Sequence, residues 1–111
     1  VIVTIPSEVS HLIVKKSVTV AKEARAPVLG LVENMAGYVC ARCGSVGDLF
    51  SGPGGETLAA QLAIPFLGAV PFDPRLASAA DRGVPFVTAE PESPAARALL
   101  QIADCLLASL H

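Results

Sequence analysis

A parallel α/β sheet with helices on both faces is the fold class this sequence predicts, from three observations. Short β-branched or aliphatic runs alternate with segments of helical period, in the order strand, helix, strand, helix, strand, helix. The strand-like runs are continuously apolar rather than alternating, as in strands buried on both faces. Pro and Gly fall at the junctions, where one element must stop and the next begin. With 111 residues, 52% of them hydrophobic, the chain is long enough for one domain with its own core and too short for two, so residues 1–111 read as a single domain.

Residues 1–5 (Val-Ile-Val-Thr-Ile) form the first strand, closed by Pro6. Ser7 or Ser10 then caps a helix, and Val9, Leu12, Ile13, Lys16, Val20 and Ala24 recur at helical spacing as its inner stripe, until Pro27 ends it. Residues 28–33 make a second buried strand with Asn34 at its carboxyl end, and an irregular stretch follows over 35–53. A helix is expected over 56–63 ahead of Pro65, and a third strand over 66–70 that Pro71 closes. Asp73 caps a short helix over 74–81, with Pro74 at its first position and Gly83 at its end. Ser93 caps the last helix, whose stripe is Leu99, Ile102, Ala103, Leu106, Leu107 and Leu110.

In such sheets ligands bind beyond the carboxyl ends of the strands. Asn34, the cysteine-bearing stretch and the turn Pro71-Phe72-Asp73 all belong to that edge. Cys40 and Cys43 carry the sharpest chemistry: two thiols three positions apart grip one metal or cluster yet fill half of a four-ligand shell. A thioredoxin-like redox pair should open a helix, whereas Gly44-Ser45-Val46-Gly47 is poor helix material. A zinc ribbon needs a second pair in the same chain, and the only other cysteine is Cys105. The second pair then comes from a second copy, around a two-fold axis. Ordinary loop thiols are the plain alternative.

Asn34 offers a donor and an acceptor suited to a purine edge, or simply turns the chain. Asp73 reads first as a helix cap. Gly52-Pro53-Gly54-Gly55 lacks the Lys-Ser/Thr of a Walker loop and reads as a tight lead-in to a helix. His11 and His111 are expected in solvent, and Cys105 in the core. A net charge of −2 with dispersed basic residues predicts no nucleic-acid partner, and the absence of a long apolar run predicts no membrane span. An odd cysteine count and no signal-like start point to a reducing, cytoplasmic setting.

The chain resembles the Mrp/ApbC family of P-loop iron–sulfur cluster carriers, relatives of MinD and the nitrogenase iron protein. The resemblance rests on Val3-Thr4-Ile5-Pro6-Ser7-Glu8-Val9, on Gly30-Leu31-Val32-Glu33-Asn34-Met35 leading to Cys40-Ala41-Arg42-Cys43-Gly44, on Gly54-Gly55-Glu56-Thr57-Leu58-Ala59, and on Leu67-Gly68-Ala69-Val70-Pro71-Phe72-Asp73-Pro74-Arg75 running to Gly83-Val84-Pro85. It implies the C-terminal half of a doubly wound, P-loop NTPase-like sheet. It also implies a homodimer whose Cys40 and Cys43 pairs bridge a [4Fe-4S] cluster destined for apo iron–sulfur proteins, and a partial ATP site with the adenine near Asn34, Pro71 and Asp73. Zinc held by the same thiols, in a structural or interaction module, is the alternative.

Three departures stand out: Ala41 replaces the family's proline, which loosens the loop, Ile13 stands where Asp is common, and Ile5 replaces a usual Thr. The family is a weak ATPase whose phosphate-binding and switch segments lie ahead of the part matched here. The sequence starts without Met inside a strand-like run, so it reads as the later part of a longer protein, and residues 1–111 alone are expected not to catalyse hydrolysis.

Overall fold

Leu31 and Val32, neighbours in the chain, face opposite sides of one strand, and each belongs to a different core. The structure is a computed structural model that describes residues 1–40, 42–49 and 54–110. Its elements are β1 (Ile2–Thr4), α1 (Glu8–Glu23), β2 (Leu31–Val39), β3 (Val46–Gly47), α2 (Gly55–Gln61), β4 (Phe66–Phe72), α3 (Pro74–Asp81), α4 (Phe86–Ala89) and α5 (Pro94–Leu110). β2 is the central strand. It pairs in parallel with β1 (Ile2 opposite Leu31, Thr4 opposite Glu33) and with β4 (Leu31 opposite Phe66, Tyr38 opposite Phe72).

On one face, Val14 and Val18 of α1 and Leu58 and Ala59 of α2 bury against Leu31. On the other, Ala79 of α3, Phe86 of α4 and Ala95, Ala96 and Ile102 of α5 bury against Val32, Leu67 and Val70. This is the doubly covered parallel α/β sheet the sequence predicts. α5 lies unusually close to β4, because a Cβ at Gly68 would stand 2.7 Å from Cγ1 of Ile102 and the backbone there has φ +155°.

The caps are side chains, as their types require. Ser7 Oγ accepts from Ser10 N at 3.2 Å, and Ser10 Oγ instead accepts from Ile5 N, tying α1 to the end of β1. Asp73 Oδ1 accepts from Arg75 N, and Ser93 Oγ accepts from Ala96 N.

The strands differ from expectation in extent. β2 begins at Leu31 rather than 28 and runs through Asn34 to Val39, where an irregular stretch was expected. Met35, at φ +52°, marks an irregularity between the Asn34 and Tyr38 pairings, which breaks the local strand signal while the neighbours hold the register. β3 is an unforeseen antiparallel edge, Tyr38 opposite Gly47 and Val39 opposite Val46. β4 continues through Pro71 to Phe72, with Pro71 at a position no ladder pair names.

The helix stripes also need correction. α1 buries His11, Val14 and Val18, whereas Val9, Leu12, Ile13 and Val20 are each 58% or more exposed. The helix has apolar residues on two sides, and the side that carries Val14 and Val18 packs on the sheet. His11, expected in solvent, is 6% exposed. Cys105, expected in the core, is exposed, as are Leu107 and Leu110, because α5 turns Ala95, Ala96, Ile102 and Leu106 to the sheet instead. The readings made for Ala41, Gly52-Pro53 and His111 lie outside the described residues.

Candidate functional site

Parallel strands put the carboxyl ends of β2 and β4 on one edge, and the two cysteines follow β2 directly. Cys40 N donates to the Ser45 carbonyl (2.8 Å) and Gly44 N to the Cys40 carbonyl (2.9 Å). These bonds close the turn that leads into β3, with Gly44 at φ +73°, a conformation glycine adopts without strain. The turn brings the thiols together: Cys43 interacts with the Cys40 side chain and lies 3.0 Å from Ser45 Oγ. Hydrogen bonding from the Ser45 hydroxyl, then from the Ser45 backbone and from Cys40, holds the Cys43 thiol below its ordinary pKa. Cys43 is exposed and Cys40 half-buried. Among the described residues, no group of three His, Cys, Asp or Glu side chains comes together to hold a metal.

Beneath the turn the Tyr38 and Phe72 rings stack, with centroids 6.1 Å apart and an interplanar angle of 24°. This contact joins the ends of β2 and β4. The next residue, Asp73, is 2% exposed and its carboxylate is fully engaged. It accepts from Arg75 N at 3.0 Å and from Arg75 Nη2 at 2.8 Å. The Arg75 hydrogen bonds, stronger than the opposing effect of burial, hold the Asp73 carboxyl below the usual carboxylate range. The same guanidinium donates to Glu90 Oε2 at 3.2 Å.

A cleft of about 380 Å³ opens between these parts, and both Cys40 and Asp73 line it, together with Arg75, Glu90 and Ser93. Asn34 and Pro71 are half-buried in β2 and β4 and do not line this cleft. Asn34 Oδ1 accepts from Met35 N at 2.9 Å, a turn-stabilising bond at the strand irregularity. The structure therefore brings Cys40 and Asp73 to one cleft, with Cys43 on the same turn as Cys40 and Asn34 and Pro71 on the strands that lead there.

Two further residues shape the site without having been legible as part of it, and a third braces the opposite face of the sheet. Ser45 bonds Cys43, and Arg75 covers Asp73. Glu33, buried in β2 on the face that α2 covers, accepts from Gly55 N at 2.8 Å and so caps α2, where the N-cap Gly54 has no side chain to do so. An acidic residue at a strand end and a helix opening on Gly-Gly were the available signals for Glu33. A separate cavity of about 310 Å³ lies between α1 and α2, lined by Glu8, His11, Lys15, Thr57, Leu58 and Gln61.

Residues 1–107 match the model of the ParA family, described as NUBPL iron-transfer P-loop NTPase. An iron–sulfur cluster carrier protein of Saccharolobus solfataricus is 46% identical over 104 residues, covering 94% of this chain and 35% of the relative. A protein of the same name from Methanocaldococcus jannaschii is 47% identical over 87 residues, 78% of this chain and 30% of the relative. The chain thus spans about a third of the length of the curated relatives it matches. Among solved structures, the cell division ATPase MinD of Pyrococcus furiosus superposes with a TM-score of 0.75 at 26% identity, over 97% of this chain and 41% of MinD. A nucleotide-binding protein of Archaeoglobus fulgidus in complex with ADP gives a TM-score of 0.60 at 33% identity, over 73% of this chain and 35% of that protein.

Proposed function

Because the chain belongs to the ParA family of NUBPL iron-transfer P-loop NTPases, we propose that it is the cargo-binding part of an iron–sulfur cluster carrier, in which Cys40 and Cys43 of two copies bridge one [4Fe-4S] cluster. The observation that carries this reading is the turn after β2, which sets an exposed and a half-buried thiol side by side at the carboxyl edge of the sheet. The names of the Saccharolobus and Methanocaldococcus relatives support the cargo class.

The chemistry follows from that placement. Lowering the Cys43 thiol's pKa favours the thiolate, the form that ligates iron. Exposure of Cys43 leaves its iron–sulfur bond open to exchange. A recipient's thiolate forms a new bond to that iron as the Cys43 thiolate leaves, without net oxidation or reduction, and the cluster moves to an apo iron–sulfur protein. On the nucleotide side, Asn34 and the Pro71 to Asp73 turn stand at the adenine end of an ATP site. There Asp73 contributes the shape of the turn, because Arg75 occupies its carboxylate. Residues 1–111 contain no Gly-x-x-x-x-Gly-Lys-Ser/Thr run, so this piece alone binds ATP weakly and does not turn it over. Among the described residues no helix is long and apolar enough to cross a membrane.

Anaerobic reconstitution with iron and sulfide, followed by visible absorption and iron, sulfide and zinc analysis, tests the proposal. About one [4Fe-4S] per two chains is expected, since each chain supplies two suitably spaced thiolates. Stoichiometric zinc that iron and sulfide do not displace would replace the carrier reading by a structural tetrathiolate site.

A further inference from the structure

The cleft beside Cys40 has an acidic wall, and one residue offsets part of its charge. Asp73, Glu90 and Glu92 all line it. Glu92 is 88% exposed and pairs outward with Arg97. The other two carboxylates share a single cation: Arg75 Nη2 lies 2.8 Å from Asp73 Oδ2, and Arg75 Nη1 lies 3.2 Å from Glu90 Oε2. Helix capping explains why Asp73 is there, since it accepts from Arg75 N at the start of α3. It does not explain why that arginine also reaches Glu90 in the wall of the cleft that Cys40 lines.

We infer that Arg75 is a positioning residue for the cargo: by offsetting one of the two negative charges of Asp73 and Glu90 it weakens the repulsion that two carboxylates beside Cys40 would exert on an anionic thiolate-ligated cluster. This rests on the cluster-carrier reading above. A cluster held by four thiolates is net negative, and negative charge beside it disfavours its binding and, more strongly, its reduction. Arginine suits the task because its planar fork serves two carboxylates at once. In a dimer-bridged cluster the effect is doubled, since each copy presents the same wall.

The test compares wild type, Arg75→Gln, Arg75→Lys and Arg75→Gln/Glu90→Gln after anaerobic reconstitution, reading the rate of iron loss to a ferrous chelator and the reduction potential of the bound cluster. Arg75→Gln should lose iron roughly ten-fold faster, the order of effect of one unit charge about 10–12 Å away at an effective dielectric of about 20, and should be harder to reduce. Arg75→Lys should remain near wild type. The double variant should recover most of both properties, which a purely structural role for the arginine does not predict, because the double variant also lacks the α3-to-Glu90 link. Equal loss rates and potentials for wild type and Arg75→Gln, or no recovery in the double variant, would overturn the inference while leaving the carrier reading intact. A wild-type chain that takes up no cluster at all would instead overturn the carrier reading.

Discussion

Two thiols and one ion pair account for most of the chemistry at the carboxyl edge of the sheet. Replacing either Cys40 or Cys43 by Ser should abolish stable cluster uptake, because a shell missing two of its four ligands by symmetry does not close. Cys105→Ala should leave uptake unchanged, since Cys105 lies on α5 outside the turn that unites the other two. Iron and sulfide content after anaerobic desalting is the measurement, and equal loss from the Cys105 change would disprove the shared-pair arrangement. Asp73 makes a prediction about pH. Its folded pKa is depressed, chiefly by the Arg75 hydrogen bonds. Its ion-pair contribution is therefore fully present above the unfolded value, ~3.9, and is lost as pH falls through the lower folded value. Asp73→Asn keeps a capping oxygen and removes the charge, so its unfolding free energy from urea titration should lie below wild type at pH 7, by about 1 kcal/mol, a gap that narrows below about pH 4. A gap that stays constant down to pH 3 would show that the charge is not what stabilises the turn.

α1 shows what an element adds beyond its residues. His11 lies 6% exposed on α1, lining the cavity between α1 and α2, and among the described residues its Nε2 has no hydrogen-bond partner. A buried polar atom left unpaired costs about 1–3 kcal/mol, so His11→Leu should raise the urea midpoint. A lower midpoint would mean that the imidazole has a partner the folded chain needs. Packing of α5 on β4 works in the opposite sense. Gly68→Ala should destabilise by about 1–3 kcal/mol, because the new Cβ meets Ile102 where the backbone already favours glycine.

The order of the three parallel strands and of α1, α2, α3 and α5, and the caps Ser7, Asp73 and Ser93, were legible because each depends on a local signal: a breaker, a short polar side chain, a period. The inner stripe of α1 was not, since both of its stripes are apolar and only the sheet's shape chooses between them. Nor was the second half of β2, where Met35-Ala36-Gly37 carries no strand signal and pairing to β3 and β4 supplies the order. The thiol pair was visible from its spacing alone. Ser45, Arg75 and Glu33 were not, since their roles depend on what the fold brings near them.

At the scale of the whole molecule, cargo and assembly are one equilibrium. If two chains supply the four ligands, a cluster binds the dimer and not the monomer, so loading must tighten dimerisation by the factor by which dimerisation tightens loading. Holo protein should therefore stay dimeric at concentrations where apo protein dissociates, which sedimentation of matched samples under argon would show. The surface offers a second route to association that the experiment must separate. Val9, Leu12, Ile13 and Val20 expose an apolar stripe on α1, and Val1 and Val3 are more than half exposed at the β1 edge. Association through these surfaces is indifferent to the thiols, so the double variant Cys40→Ser/Cys43→Ser preserves it and removes only the cargo-dependent part. The expected order of dimer affinity is reconstituted wild type above apo wild type, with apo wild type equal to the double variant. Equal affinity for all three would put the cluster away from the two-fold interface, and Cys40 and Cys43 would then serve a metal held by a single chain.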